Sequence, residues 1–411
     1  MGLTRYYSRT AYLPSKESDL STPVEHIRAF QSELATIRHD IHAHPELGFE
    51  EQRTSQVVAR WLGEWGIEVH RGLAKTGVVG VVHGQPGEGA IGLRADMDCL
   101  PMHETGSVPY RSQNEGRMHA CGHDGHTTML LGAARYLAQT RKFAGMAYLI
   151  FQPAEEGGGG GRVMVEEGLF ERFPMREVYA LHNWPGLPAG RIAVRPGPVM
   201  AAVDEIEIVI RGRGGHGAMP HLGVDPVVVA AHVITALQTI ASRNVSPLDT
   251  VVVSVCSMQT SQIGTSNVIP DDVRLVGTVR TFREETRVLA ERRIQEITTG
   301  VASSLGASAQ TVYHRNYPAT VNSEREAAFA AEVGERIFGA TNVIRDADPT
   351  TGGEDFSYML QARPGAYVWL GQGGGPSGCQ LHNPGYDFND AVIPLGAGYL
   401  SALVETALPV R

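Results

Sequence analysis

The stretch MHACGHDGH, residues 118–126, concentrates metal-binding side chains at the predicted start of a helix. Cys121 and His123 alternate across the turn before that helix, so both side chains can face one point. Thiolate and imidazole groups suit a borderline-soft divalent cation. Asp124 is expected to cap the helix N-terminus, a position that favours aspartate. The stretch therefore predicts part of a metal site whose remaining ligands lie elsewhere in the chain.

Further ionisable residues follow apolar runs that are typical of buried strands. These residues are Asp96 and Asp98 in IGLRADMD, Glu155 and Glu156 after YLIFQPA, and His182 in VYALHN. Near the C-terminus, LHNPGYDFND adds His382. Ligands of open parallel sheets bind beyond the carboxyl ends of the strands. We therefore expect these groups to converge on one crevice.

The adjacent carboxylates of Glu155 and Glu156 repel each other unless a cation or a proton lies between them. A metal ion that binds one carboxylate and leaves the other as a base removes this conflict. The pair therefore indicates a metal ligand beside a carboxylate base. A competing interpretation makes Cys121 a nucleophile that a nearby histidine activates. That interpretation leaves the glutamate pair and His382 without a role.

The elements around these residues alternate between helix and strand. Apolar residues recur at three- and four-residue spacing in residues 26–43, 51–66 and 125–139, which predicts helices. The runs TGVVGVVHG, AIGLRADMD, MAYLIF and EVYALHN predict strands. This alternation predicts an α/β fold with a mainly parallel sheet flanked by helices.

The middle of the chain follows a different order. Strands are predicted at 203–211, 250–260, 272–282 and 311–317, with helices at 225–242 and 284–305. The order β-α-β-β-α-β is that of a compact ferredoxin-like unit. We therefore predict an inserted lid domain at residues 199–316, and a discontinuous metal-binding domain formed by residues 1–198 and 317–411.

Length and composition restrict the class of protein. A chain of 411 residues predicts about two domains. The net charge of −9, without a basic cluster, argues against nucleic acid as a partner. No run of eighteen apolar residues occurs, and the N-terminus lacks a secretory signal pattern, so no membrane association is expected. Four widely scattered cysteines fit reduced thiols, and we expect a cytoplasmic protein.

Nine motifs occur in an order that resembles a known family. They are HAHPELGFEE, LRADMD, MHACGHDGH, FQPAEEGGGG, GGHGAMPH, NVIP, GTVRTF, GGEDF and LHNPGYDFND, and they extend from about His42 to Asp390. The family is that of the dinuclear metal amidohydrolases. The branch contains hippurate hydrolases, N-acyl-amino-acid amidohydrolases and plant auxin–amino-acid conjugate hydrolases. The resemblance implies a catalytic α/β domain with an inserted lid.

The resemblance also implies roles for individual residues. Cys121 matches a thiolate that can bridge two metal ions, and the other implied ligands are His123, Glu156, His182 and His382. Glu155 matches the general base, and Asp98 matches an acidic residue that orients the metal site from behind. In the lid, His216 matches a histidine that polarises the scissile carbonyl, whereas Asn267 and Arg280 match groups that hold the substrate carboxylate.

The function that follows from the resemblance is hydrolysis of N-acyl-L-amino acids to a carboxylic acid and a free amino acid. Two divalent ions per subunit are implied, with zinc expected and manganese as the alternative. Relatives commonly form a homodimer, or a dimer of dimers, through the lid. A carboxypeptidase or dipeptidase would use the same residues. A non-catalytic acyl-amino-acid-binding protein is a further alternative, although binding alone needs no base such as Glu155.

Overall fold

The computed structural model describes residues 22–262, 264–374 and 377–410. Its helices are α1 (Pro23–Arg28), α2 (Gln31–Ala43), α3 (Gln52–Glu64), α4 (His123–Thr140), α5 (Gly160–Glu166), α6 (Leu169–Arg172), α7 (Pro226–Leu237), α8 (Glu284–Ser304), α9 (Glu324–Phe338), α10 (Phe356–Ala362) and α11 (Ile393–Ala407). The predicted helix over residues 26–43 is divided between α1 and α2.

The strands form two larger sheets and two short strand pairs. They are β1 (Glu68–Leu73), β2 (Gly77–His83), β3 (Gln85–Asp96), β4 (Ala144–Gln152), β5 (Glu177–Pro185), β6 (Ile192–Ala193), β7 (Gly197–Met200), β8 (Ala202–Arg211), β9 (Gly215–His216), β10 (Val251–Thr260), β11 (Val268–Ile269), β12 (Asp272–Thr281), β13 (Ser308–Arg315), β14 (Thr320–Asn322), β15 (Val343–Ile344) and β16 (Gly365–Gly373). The short pairs are β9 with β11 and β7 with β14.

The larger sheet has the strand order β1-β2-β4-β3-β5-β16-β6-β15. Its central strands β4, β3, β5 and β16 are parallel. The strand pairs β1–β2, β2–β4 and β16–β6 are antiparallel, whereas the edge strand β15 pairs with β6 in parallel. The helices α1, α2, α3, α4, α9 and α11 cover one face, and α5, α6 and α10 cover the other. The predicted α/β fold with a helix-flanked sheet is confirmed.

The central strands are apolar along most of their length because both of their faces are covered. In β5, eight of the nine residues are buried. Because β3, β4 and β5 are parallel, their carboxyl ends lie at the same edge of the sheet. The N-terminus of α4 reaches the same edge, since Thr127 in its first turns donates a hydrogen bond to the carbonyl of Asp96 at the end of β3.

The smaller sheet has the order β10-β12-β8-β13, and α7 and α8 pack on one of its faces. Burial alternates along β8 and β12, as expected for strands with one covered face. The four strands and two helices occur in the predicted β-α-β-β-α-β order, with bounds close to those predicted. The division at residues 199–316 into a separate lid domain stays a prediction.

Among the described residues, one helical stretch, Pro226–Asn244, is long and apolar enough to cross a membrane by length and composition alone. A core helix of a water-soluble protein meets the same test. Its buried residues Val229, Val233 and Leu237 belong to the core beneath the smaller sheet. Packing against that sheet therefore accounts for part of its apolar composition.

Candidate metal centre

The five predicted metal ligands meet at the carboxyl edge of the larger sheet. The ligand atoms of Cys121, His123 and His182 lie within 4.8 Å of one another. The ligand atoms of Cys121, Glu156 and His382 form a second group within the same limit. Cys121 thus belongs to both groups. This arrangement is the convergence that the strand ends predict.

The start of α4 differs from the prediction for Asp124. The helix begins at His123, and Gly122 occupies the capping position with φ 91°. A Cβ atom on Gly122 would overlap the Asn183 side chain, so both the conformation and the space favour glycine. Asp124 lies in the first turn and accepts hydrogen bonds from His42 and Arg38. The predicted capping role is therefore wrong, because Asp124 lies within the helix and its carboxylate accepts from those two side chains instead.

Two histidines direct the same ring nitrogen toward the cluster. Nδ1 of His123 lies 3.0 Å from the carbonyl oxygen of Asp98 and can donate to it, whereas Nε2 is buried without a hydrogen-bond partner. Nδ1 of His182 lies 2.7 Å from the carbonyl oxygen of Asn183, and its Nε2 lies 3.4 Å from Sγ of Cys121. Donation from Nδ1 leaves Nε2 as a free lone pair, the form that binds a metal.

The glutamate pair follows β4 through a strained turn. Ala154, just before the pair, has φ 54°, a left-handed conformation that is uncommon for a residue with a Cβ atom. The backbone N–H of Glu156 donates to Oδ2 of Asp98 at 2.9 Å. Oε1 of Glu156 lies 3.3 Å from Nε2 of His382 and 3.9 Å from Nε2 of His123. Asp98 therefore contacts both His123 and the Glu156 backbone from behind the cluster.

The charges of the centre favour a cation. Burial raises the pKa of Glu155 well above its usual value, and the carboxylates of Glu354 and Glu156 raise it further. Burial and the carboxylates of Glu156 and Glu155 likewise raise the pKa of the Cys121 thiol. Burial opposes protonation of His123, but Asp96 and Asp98 outweigh it and raise its pKa to about 10. A divalent ion would stabilise the thiolate, the carboxylates and the neutral imidazole together.

The donor set therefore fits a divalent metal ion. Among the five predicted ligands, Nε2 of His123 and Oε1 of Glu156 are buried without a hydrogen-bond partner in the described residues, and these two atoms lie 3.9 Å apart. A thiolate, three imidazoles and a carboxylate combine the ligand types that zinc accepts. The structure thus supplies candidate metal-ligand groups at the place where the sequence predicts them.

A buried ionic network behind Glu155 is larger than the sequence indicates. The guanidinium of Arg94 pairs with Asp96 at 2.8 Å, with Glu354 at 2.9 Å and with Asp355 at 3.1 Å. Its Nε donates to the Gln152 side chain at 2.8 Å. An arginine within an otherwise apolar buried strand is the signal for this network that the sequence offers, because such a charge requires partners.

His126 lies beside the centre but is not a predicted ligand. Both of its ring nitrogens have hydrogen-bond partners. Its Nδ1 lies 2.6 Å from Oδ1 of Asp96, and its Nε2 accepts from the backbone N–H of Asn183 at 3.0 Å. The ring is therefore committed to linking β3 and β5. This arrangement agrees with a packing role at the helix start.

The three site residues predicted for the lid lie on or beside the smaller sheet. His216 of β9 pairs with Val268 of β11, which follows Asn267, and both His216 and Asn267 are exposed. Arg280 of β12 is half-buried and donates to Oγ1 of Thr278 and to the carbonyl of Val279. Across the described residues, no hydrogen bond or ion pair joins these three side chains to the five predicted ligands. His216 and Asn267 are brought together, whereas Arg280 lies apart on its strand.

Comparisons with known proteins agree with this fold and centre. The family model of Peptidase family M20/M25/M40 matches residues 92–406. The chain is 41% identical to the hippurate hydrolase of Campylobacter jejuni over 380 residues, which are 92% of this chain and 98% of that protein. It is 38% identical to the N-acetylcysteine deacetylase of Bacillus subtilis, over 93% of this chain and 98% of that one.

A solved structure extends the likeness to three dimensions. The crystal structure of the YXEP protein of Bacillus subtilis, a dinuclear metal binding peptidase of the M20 family, superposes with a TM-score of 0.80 and 34% identity. The alignment covers 93% of this chain and 99% of that one. The chain belongs to Peptidase family M20/M25/M40 and is a hydrolase of that family. The family resemblance inferred from its motifs is confirmed.

Proposed function

We propose that this chain is a metal-dependent amidohydrolase that cleaves N-acyl-L-amino acids into a carboxylic acid and an amino acid. The observation that carries the proposal is the pair of adjacent glutamates at the metal centre. Glu156 lies among the predicted ligands, whereas Glu155 is buried beside them with a raised pKa. The similarity to a hippurate hydrolase and to an N-acetylcysteine deacetylase supports this class of substrate.

Two divalent ions per subunit would be held by Cys121, His123, Glu156, His182 and His382. The membership of Cys121 in two ligand groups supports a bridging thiolate. The histidine and thiolate ligands favour zinc, with manganese as the alternative. When bound, such ions lower the pKa of a water toward neutrality and polarise an acyl carbonyl. Asp98 would orient this centre through its contacts with His123 and the Glu156 backbone.

Glu155 would act as the general base and then as the general acid. Its carboxylate takes a proton from the attacking water and passes it to the departing amine. The charges of Glu354 and Glu156 and its burial oppose its ionised form, so they increase its basicity. A carboxylate that only bound a ligand would need no such environment, which argues against a purely binding role.

The lid residues would complete the site from the smaller sheet. His216 would polarise the scissile carbonyl, and Asn267 and Arg280 would hold the carboxylate of the amino-acid half. Arg280 has no carboxylate partner among the described side chains, so its guanidinium remains able to accept one. A planar guanidinium suits bidentate pairing with a carboxylate.

We further propose that residues 199–316 form the lid domain and that it joins two copies of the chain in a homodimer or a dimer of dimers. The exposed apolar residues Met219, Leu222 and Val228 near His216 support such an interface. The free thiols of all four cysteines fit a cytoplasmic location. The proposed binding partner, apart from a second copy of the chain, is a small acyl amino acid as substrate; we propose neither a nucleic acid nor a membrane as a partner.

The substrate class is tested with three compounds of related structure. N-benzoyl-glycine, its C-terminal amide and a dipeptide are compared on the metal-loaded protein and on Arg280→Ala. We expect the metal-loaded protein to cleave N-benzoyl-glycine in preference to the other two compounds. Arg280→Ala should lower kcat/KM for N-benzoyl-glycine about 30- to 1000-fold, because a charge-assisted pair disappears. For the neutral C-terminal amide, Arg280→Ala should lower kcat/KM little, since this compound has no carboxylate to pair with Arg280.

Preferred cleavage of the dipeptide would identify a dipeptidase or carboxypeptidase instead. Equal sensitivity of the acid and its amide to Arg280→Ala would place Arg280 outside the substrate site. A matched control is Arg274→Ala on the same strand, because Arg274 pairs with Glu207 on the exposed surface. This control should leave kcat/KM unchanged.

A further inference from the structure

The loop that carries the glutamate pair has few side chains of its own for packing. It runs through GGGGG, residues 157–161, and Gly157 and Gly159 have φ of 92° and 67°. A Cβ atom on Gly160 would overlap the carbonyl oxygen of Pro153. Because glycine backbones are conformationally permissive, the position of this loop depends on hydrogen bonds from other parts of the chain.

One hydroxyl group makes three of those hydrogen bonds. The OH of Tyr317 donates to the carbonyl oxygen of Glu155 at 2.5 Å. The hydroxyl oxygen of Tyr317 in turn accepts from the backbone N–H of Gly157 at 2.9 Å and from that of Gly159 at 3.1 Å. The hydroxyl therefore uses its donor and both of its acceptor positions on a five-residue segment that begins at Glu155.

Tyr317 belongs to the segment through which the chain returns from the smaller sheet. It lies two residues after the end of β13, and its carbonyl accepts from the backbone N–H of Val203, near the start of β8. The neighbouring Asn316 carbonyl accepts from the OH of Tyr358 at 3.0 Å. Tyr317 is thus tied by its backbone to the connections of the smaller sheet and by its side chain to the glutamate loop.

We propose that Tyr317 is a positioning residue that sets the place of the Glu155 carboxylate and links it to the connections of the lid. The proposal rests on the proposed function, in which Glu155 is the base. A base acts only when its carboxylate lies within hydrogen-bond reach of the water that it deprotonates. A displacement of about 1 Å in a reacting group can lower a rate about 100-fold. The loop backbone is also held by Asp98 at Glu156 and by Asp355 at Gly161. Between those two points, the Tyr317 hydroxyl is the side-chain hydrogen-bond partner of the loop backbone in the described part of the chain.

The test replaces Tyr317 by phenylalanine, which keeps the ring and removes the three hydrogen bonds. We expect kcat for N-benzoyl-glycine to fall about 10- to 100-fold, with KM and metal content near those of the unsubstituted chain. Tyr358→Phe is the matched control, because it removes a hydrogen bond to the same connection without touching the glutamate loop. This control should keep its kcat.

Two further readouts separate positioning from a general structural effect. Hydrogen exchange of the amides in residues 154–161 should be faster in Tyr317→Phe, whereas exchange of α4 should be unchanged. In a Glu155→Gln background, Tyr317→Phe should lower the residual turnover less than twofold, because the base is already absent.

A normal kcat, unchanged exchange of the loop, or an equal loss in both backgrounds would each overturn the positioning role. Absence of turnover by the metal-loaded unsubstituted chain on all three compounds would instead contradict the proposed function. The loop exchange is measured without substrate, so the contact itself is judged separately from the reaction.

Discussion

Replacement of Arg94 by methionine removes the guanidinium at the centre of the buried network behind Glu155. The side chain of Arg94 is 1% exposed, and its partners Asp96, Glu354 and Asp355 are at most 2% exposed. Methionine retains the length and flexibility of the apolar stem. Removing one partner of a buried ion pair costs about 3–5 kcal/mol, because the remaining charge is uncompensated. With three carboxylates left, we expect a loss near the upper end of that range.

The assay is urea unfolding at pH 7, followed by tryptophan fluorescence and by circular dichroism. Arg274→Met is the matched control, since Arg274 also forms two 2.8 Å bonds to a carboxylate, that of Glu207. Those two side chains are 49% and 33% exposed, so solvent screens the pair and the control should lose much less stability than Arg94→Met. Similar losses in both variants would refute the role assigned to burial.

The pH dependence gives a second check on Arg94→Met. Burial already raises the pKa of Asp355 while Arg94 opposes that shift. Without Arg94 the folded-state pKa of Asp355 rises further, so at this carboxyl the folded state binds more protons than the unfolded state. Stability then falls as the pH rises above the unfolded carboxyl values, near 4. The deficit relative to the unsubstituted chain should therefore shrink between pH 7 and pH 5, and a constant deficit would contradict the reasoning.

Two other predictions concern His42, which contacts Asp124 in the first turn of α4, and Cys121, which lies just before that helix. Burial opposes protonation of His42, but the hydrogen bond and charge of Asp124 together with the hydrogen bond to Glu104 outweigh burial and raise the pKa to about 9. A raised pKa gives stability that is full below about pH 6.5 and lost as the pH approaches 9, so Tm should fall more steeply over that interval in the unsubstituted chain than in His42→Gln. Parallel Tm curves would contradict this. Cys121, as a metal-bound thiolate, should resist iodoacetamide until a chelator removes the metal. Rapid labelling of the fully metallated, active protein would favour the cysteine nucleophile instead.

The elements of the smaller sheet are predictable because their patterns are local. Burial in β8 alternates residue by residue, and the isoleucines at every second position, Ile206, Ile208 and Ile210, mark its covered face. The convergence of Glu156 and His182 is also predictable, since parallel strands share a carboxyl edge. The Glu155–Glu156 conflict is visible in the sequence as two adjacent carboxylates.

The missed features depend on contacts between distant parts of the chain or on backbone conformation. Arg94 and Glu354 are 260 residues apart, and Tyr317 contacts a loop about 160 residues before it. No local periodicity indicates either pairing. The capping prediction for Asp124 fails because α4 already begins at His123, directly after the left-handed Gly122, so Asp124 lies within the first turn. The antiparallel outer strands β1 and β2 likewise follow from pairing order, which composition does not reveal.

The central claim is that Glu155 is the base and Glu156 is a ligand, and metal analysis combined with turnover tests it most directly. The account predicts that Glu155→Gln keeps its metal content near that of the unsubstituted chain, while turnover of N-benzoyl-glycine falls by roughly two to four orders of magnitude. Glu156→Gln should lose bound metal. Loss of metal by Glu155→Gln, together with retained metal and activity in Glu156→Gln, would contradict the account.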